Sequence, residues 1–174
     1  NILNSMNSVL VAYSGGVDSA LLLKVACDTL GDRVFAVTAE SEIHPDFEIA
    51  GARELAAQLA VKHKLVQSTE MEDEIFLENP PDRCYHCIKH VFSERKVLAD
   101  QSDRPWIVDG SNADDDDDYR PGAKALEELG IRSPLKEAGL TKAEIRTISK
   151  AFDLPTWNRP AMACLASRIP YGTR

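Results

Sequence analysis

Two groups of residues in this chain have types and spacings that can do chemistry. The first is Ser14-Gly15-Gly16-Val17-Asp18-Ser19, set between an apolar run and a helix-like stretch. Glycine lets a backbone come close to a ligand, and the first N–H groups of a helix lack intrahelical partners. Such a turn suits an anion, above all a phosphate. The second group is the thiols. Cys84-Tyr85-His86-Cys87 sets two cysteines one helical turn apart at a helix start, where the helix dipole favours thiolates. Cys164 lies among small residues (Ala161, Ala163, Ala166, Ser167), with Arg159 and Arg168 to favour a thiolate or an anionic substrate. Cys27, inside the apolar first helix, reads as a small core residue.

Each group has a bland alternative. A bare glycine pair is more often a tight strand-to-helix turn capped by serine, but the full hexapeptide in strand–turn–helix context favours a nucleotide. No G-x-x-x-x-G-K-[ST] is present, so the lysine of a P-loop NTPase is missing, and no G-x-G-x-x-G supplies a dinucleotide fingerprint. The C-x-x-C pair is compatible with a redox pair, with half a zinc site completed by Cys164 and His86, or with part of an iron–sulfur site.

The elements that must position these residues alternate between strand and helix patterns, which predicts an α/β fold with a doubly wound parallel sheet. Strands are expected at Val9–Tyr13, Arg33–Ala39, Lys64–Ser68 and Trp106–Val108, with a further short one at Ile131–Leu135. Helices are expected over Ala20–Ala26, Phe47–Lys62, Cys84–Ala99, Pro121–Leu129 and Thr141–Phe152, the last opening on a Thr141-x-x-Glu144 capping box. In such sheets ligands sit beyond the carboxyl ends of the strands. Thr38, Ala39 and Ser41 after strand two therefore become adenosine contacts. Asp109, Asn112, Asp114 and Asp115 after strand four offer hard oxygen ligands suited to magnesium. Arg120, with Arg159 and Arg168, could pair with a substrate phosphate or carboxylate; exposed salt bridges are the bland reading. Trp106 and Trp157 read as core or packing residues, and His44, His63 and His90 as surface residues.

Composition narrows the partners. With 44% hydrophobic and 28% charged residues, the 174-residue chain fits a soluble globular protein with a real core. A net charge of −8, partly from the Asp114–Asp118 run, disfavours a nucleic-acid partner, because phosphate neutralisation requires a basic face. No apolar stretch reaches membrane-spanning length and no signal-peptide pattern opens the chain, so a cytoplasmic protein without a membrane partner is expected. Four cysteines without an export signal point to thiol or metal chemistry in a reducing compartment. Two units are expected: a nucleotide-binding domain over 1–154, and a loop over 155–174 carrying Cys164 and leading into a further C-terminal segment.

The hexapeptide resembles the SGGxDS signature of the PP-loop ATP pyrophosphatases. Together with PPDRCYHC, DGSNADD, YRPG, SPL and RPAMACLASRIPYG, the pattern is similar to the LarE family over essentially the whole chain. These are ATP-dependent sulfur transferases of nickel-pincer nucleotide biosynthesis. The resemblance implies a Rossmann-like adenine nucleotide alpha hydrolase fold. Ser14, Gly15, Gly16, Asp18 and Ser19 would cradle the pyrophosphate of ATP with Mg2+, and Cys164 would act at an adenylated carboxylate of pyridinium-3,5-biscarboxylic acid mononucleotide, a small-molecule nucleotide substrate. Asp18 and Arg168 join Cys164 as expected catalytic residues. In the three-cysteine members, the positions matching Cys84, Cys87 and Cys164 hold a [4Fe–4S] cluster; in others the cysteine surrenders its own sulfur. A homo-oligomer is also implied. The rivals are a PP-loop tRNA thiolase, an amide-forming PP-loop synthetase, and a nucleotide-sensing module with structural zinc.

Overall fold

The strands β1 (Val9–Ala12), β2 (Val34–Glu40), β3 (Lys62–Gln67) and β4 (Trp106–Val108) pair in parallel, in the order β3-β2-β1-β4. The computed structural model describes residues 2–43, 45–117, 120–160 and 164–173, with the side chains of Asp116, Asp117 and Ser167 outside that description. His44, Asp118, Tyr119 and the Ala161-Met162-Ala163 run, on which part of the reading above rests, lie outside the described residues.

Val9 stands opposite Val34 and Trp106, and Leu10 opposite Phe35 and Ile107. Side chains alternate across a strand, so this register divides the apolar run between two cores. Val9, Val11, Val34, Ala36 and Val108 face one; Leu10, Phe35, Val37 and Ile107 face the other. The first is covered by α1 (Ile2–Met6), α2 (Val17–Leu30), α3 (Asp46–Gln58) and α8 (Lys142–Ala151), through Leu3, Leu21, Leu55 and Ile145. The second is covered by α5 (Arg83–Gln101) and α6 (Pro121–Glu128), through Phe92, Ala99 and Leu126. Helices on both faces explain why the central strands read as continuous apolar runs. The expected doubly wound sheet is what forms. No helix among the described residues is long and apolar enough to cross a membrane.

Several local expectations give way to tertiary demands. The predicted strand Ile131–Leu135 is reduced to one parallel bridge between Val108 and Arg132, because Pro134 lacks an N–H and opens the short helix α7 (Pro134–Glu137). Helix α3 stops at Gln58 rather than continuing to Lys62; Ala60 turns at φ +50 and β3 begins at Lys62, opposite Phe35. A further short helix, α4 (Glu74–Leu77), precedes α5. Trp106 and Trp157 are packing residues rather than core. Each is 37% exposed, beneath Arg132 and Lys150 respectively. Cys27 packs against the first core as expected, and burial pushes its thiol up to about 11. The capping box at the start of α8 is present.

From Pro155 the chain crosses the carboxyl edge of the sheet. Arg159 reaches the loop after β1, Leu165 N–H donates to the Ile43 carbonyl beyond β2, and Gly172 N–H donates to the Asn79 carbonyl ahead of α5.

Candidate active site

Strand β1 delivers the hexapeptide to that carboxyl edge. Gly15 has φ +81, and Gly16 caps α2 with an extended backbone and no side chain, so nothing on the cap residue competes for the first-turn N–H groups. Two hydroxyls brace the turn from within. Ser14 and Ser19 share a hydrogen bond of 3.0 Å, Ser14 N–H donates to Ser19 Oγ at 3.3 Å, and Ser19 Oγ donates to the Gly16 carbonyl at 3.3 Å. Ser14 and Gly16 face solvent while Gly15, Val17 and Ser19 are buried. The result is an open-topped cradle at a helix N-terminus.

The segment after β4 closes one side of it. The buried Asp109 carboxylate accepts from Ser111 Oγ and Ser133 Oγ, each at 2.5 Å, and desolvation pushes its pKa up against the lowering by those hydroxyls. Gly110 then passes so close to α2 that a Cβ there would stand 2.9 Å from Ser19 N. Asn112 Nδ2 donates to Asp18 Oδ1 at 3.4 Å, and Asp18 Oδ2 accepts from Lys142 Nζ.

Asp114 and Asp115 are placed otherwise than expected of magnesium ligands. Asp114 Oδ2 accepts from the Lys142 backbone N–H at 2.9 Å; Asp115 accepts from Asn112 N–H at 3.0 Å and pairs with Arg120 at 2.9 Å. These carboxylates hold the loop and the start of α8. Arg120, half exposed, is engaged with that loop.

Thr38 and Ala39 lie inside β2 rather than after it. The Thr38 hydroxyl donates to the Tyr13 carbonyl at 2.6 Å, which leaves His63 Nε2, at 2.9 Å, as the donor to Thr38 Oγ1. His63 is therefore not a surface residue. It is half-buried beside Tyr13, and burial followed by the nearby Arg53 lowers its pKa. Ser41 is buried and donates to Glu70 Oε1 at 2.5 Å. The Thr38 and Ser41 hydroxyls are thus engaged inside the protein. Arg159 Nη1 donates to the Gly15 carbonyl at 3.1 Å, on the cradle itself, and Arg168 is exposed.

The thiols share one neighbourhood. Cys87 and Cys164 both pack on the patch formed by Ile43, Phe76 and Ala166. The Cys87 thiol is pushed up to about 12, first by desolvation and then by Glu70, Cys164 and Cys84, with Arg83 opposing. Burial and Glu70 thus oppose, at this residue, the thiolate that a helix start favours. Among the described residues no group of three or more His, Cys, Asp or Glu side chains is gathered to hold a metal ion.

No family model matches the chain. It is 43% identical to an uncharacterized protein of Synechocystis sp. over 96% of its own length. It is 38% identical over 98% of its length to the pyridinium-3,5-bisthiocarboxylic acid mononucleotide synthase of Lactiplantibacillus plantarum. The chain is thus similar to this synthase along nearly its whole length. It spans 62% of the length of each of these two relatives. The fold matches that of NMN synthetase from Francisella tularensis, with a TM-score of 0.71, 18% identity, and coverage of 90% of this chain and 66% of that one.

Four residues placed near this edge of the sheet carry little signal in the sequence. Lys142 sits just behind a capping box and has no motif of its own. Asn79 and Arg83 flank the prolines ahead of the C-x-x-C pair and read as loop punctuation. Glu70, only 1% exposed, lies in a stretch of acidic residues that reads as solvated surface. An arginine directly before Cys84 is the one available signal.

Proposed function

We propose that the protein containing this chain is an ATP-dependent sulfur transferase. It adenylates a carboxylate of pyridinium-3,5-biscarboxylic acid mononucleotide and converts it to a thiocarboxylate. The observation that carries this reading is that the braced phosphate loop after β1 and the neighbourhood of Cys87 and Cys164, next to Ile43 beyond β2, open on the same edge of the sheet. An ATP-binding loop alone supports only pyrophosphate release. Thiols on the same edge give the activated carbonyl a sulfur nucleophile.

Substrate carboxylate oxygen attacks the α-phosphorus of ATP, and the bond to the bridging oxygen breaks as pyrophosphate leaves. First-turn N–H groups of α2, presented by the turn that Ser14 and Ser19 brace, and Lys142 stabilise the departing charge; Mg2+ bound with the nucleotide would share it. Sulfur then adds to the carbonyl carbon and AMP departs, a far better leaving group than the original oxygen. Asp18 is held ready between Asn112 and Lys142.

By chemistry, three thiols beside an apolar patch suit an iron–sulfur cluster, so Cys84, Cys87 and Cys164 are the residues that would hold [4Fe–4S]. Bound there, it would supply the transferred sulfide from its open iron. The competing route uses Cys164 sulfur itself: thioester formation, then removal of the Cys164 α-proton and cleavage of its Cβ–S bond, leaving dehydroalanine.

The test is anaerobic purification with iron and sulfide analysis, then mass spectrometry after turnover with ATP and substrate. Iron that is lost in Cys84→Ala or Cys87→Ala, with Cys164 mass unchanged after several turnovers, supports the cluster route. Iron-free protein whose Cys164 loses the elements of hydrogen sulfide supports sacrifice. Absence of pyrophosphate release with this substrate overturns the whole assignment.

A further inference from the structure

The stretch Asn79-Pro80-Pro81-Asp82-Arg83 has no part in the chemistry above, yet it contains two of the protein's buried polar side chains. Arg83 is 3% exposed and Asn79 4%. Arg83 Nη1 donates to Asn79 Oδ1 and, at 2.8 Å, to the Ala166 carbonyl. The guanidinium lies over the rings of Phe76 and Tyr171, at 5.8 and 6.0 Å from their centroids. Asn79 Nδ2 donates to the Pro170 carbonyl at 2.8 Å and the Thr173 carbonyl at 3.2 Å, and the Asn79 carbonyl accepts from Gly172 N–H at 2.9 Å.

Apart from the two Asn79 oxygens, all of these acceptors and the Gly172 donor belong to the segment that follows Cys164, whereas Arg83 immediately precedes Cys84. Burying a guanidinium is costly unless its donors are satisfied, and here a carbonyl of another segment helps to satisfy them. The two prolines fix φ between Asn79 and the helix start, and Arg83 N–H closes on the Pro80 carbonyl at 2.9 Å. Asn79 itself turns at φ +53, a conformation asparagine tolerates and most residues do not. The anchored Ala166 packs on the patch that also receives Cys87 and Cys164.

We propose that Asn79 and Arg83 are positioning residues, a clamp that sets the Cys164 segment against the helix start carrying Cys84 and Cys87. Resting on the sulfur-transfer reading, this predicts that the clamp governs sulfur delivery and leaves carboxylate activation alone. Neither residue touches the Ser14–Ser19 cradle in the contacts described above.

The test separates geometry from chemistry. In the full chain carrying Cys27→Ala and Cys84→Ser, two of its four cysteines remain. Bridging of Cys87 to Cys164 by dibromobimane is then followed by fluorescence, with and without Arg83→Met or Asn79→Gly. Glycine suits the positive φ, so Asn79→Gly removes the amide without straining the turn. Bridging is expected in the parent and to slow by about tenfold or more in either variant, since small misplacements of reacting groups are costly in rate. In the four-cysteine protein, the same variants are expected to release pyrophosphate at the parent rate within about twofold while thiocarboxylate formed per pyrophosphate falls by roughly 10²-fold. Arg83→Lys keeps the charge, loses the planar fork, and is expected to behave like Arg83→Met. Bridging as fast in the variants as in the parent, or none in the parent, overturns the clamp. So does a parallel loss of pyrophosphate release and sulfur transfer, which a general loss of structure would give. A parent that bridges but releases no pyrophosphate overturns the adenylation reading alone and leaves the bridging comparison to decide the clamp.

Discussion

Lys142, the first residue of α8, places its ammonium on the carboxylate of Asp18 in the first turn of α2. Their side chains are 32% and 20% exposed, so the pair lies at the rim of the cradle and not inside the core. A pair so open to water contributes about 1 kcal/mol or less to folding. A cation aimed where pyrophosphate charge develops matters more, because preorganised charge acts on the transition state. Lys142→Met is therefore expected to slow pyrophosphate release by about 10²-fold while the thermal midpoint moves by less than about 4 °C. Continuous pyrophosphate detection and a thermal melt check both. An unchanged release rate would remove Lys142 from the site.

The sequence points Arg159 at a substrate anion, and the structure puts it on the phosphate loop instead. Its guanidinium donates to the Gly15 carbonyl at 3.1 Å, over Gly51 of α3. Arg146 secures the segment from behind by donating to the carbonyls of Trp157 and Arg159, at 2.9 and 2.6 Å. A hydrogen bond from a charged donor contributes roughly 1.5–3 kcal/mol, so its loss should cost about ten- to a hundredfold in ATP affinity. Arg159→Met is expected to raise KM for ATP by that factor with a smaller change in kcat. Steady-state kinetics with varied ATP reads the split. If only KM for the carboxylate substrate rises, Arg159 is a substrate ligand after all.

Gly110 offers a purely steric test. A Cβ at this position would stand 2.9 Å from Ser19 N and 3.1 Å from Ser19 Cα, both backbone atoms that cannot rotate away. Overpacking of this kind costs about 1–3 kcal/mol. Part of that strain must shift the loop through Asn112 off Asp18. Gly110→Ala is expected to fold with a lowered thermal midpoint and weakened ATP binding, measured by calorimetric titration. ATP affinity equal to that of the parent would show that the approach of this loop does not shape the cradle.

What can be read from the chain and what cannot follows from the distance over which each feature is encoded. The strand–hexapeptide–α2 unit is local, as is the capping box of α8, and both form as read. Val9–Ala12 reads as a strand buried on both faces because each alternate residue meets its own core. Lys142 and Asp18 are 124 positions apart, and Arg83 and Ala166 are 83 apart. No periodicity or capping rule reports contacts of that range. The Cys87 thiol departs from its sequence expectation for a related reason: the helix start is visible in sequence, whereas Glu70 and the apolar patch that push the thiol up arrive through folding. Thr38 reads as a strand-end ligand contact because its partners Tyr13 and His63, each 25 positions away, meet it only in the folded sheet.

His63 supplies a prediction in pH. Burial and Arg53 hold its pKa below the ordinary 6.5, so the folded protein resists the proton that the unfolded chain accepts. Above the ordinary value both states are neutral and the stability is complete. As pH falls below it, the unfolded state binds more protons, and stability is lost progressively until pH passes the lower folded pKa. The hydrogen bond to Thr38 Oγ1 does not itself require the charge, because neutral imidazole with its proton on Nε2 donates equally well. His63→Gln keeps a donor at that place and removes the titration. Between about pH 7.5 and pH 5, the thermal midpoint of the parent should therefore fall further than that of His63→Gln, with the two converging at the upper end. Parallel curves across the whole range would mean that His63 takes up its proton equally in both states, and that its burial beside Tyr13 carries no energetic weight.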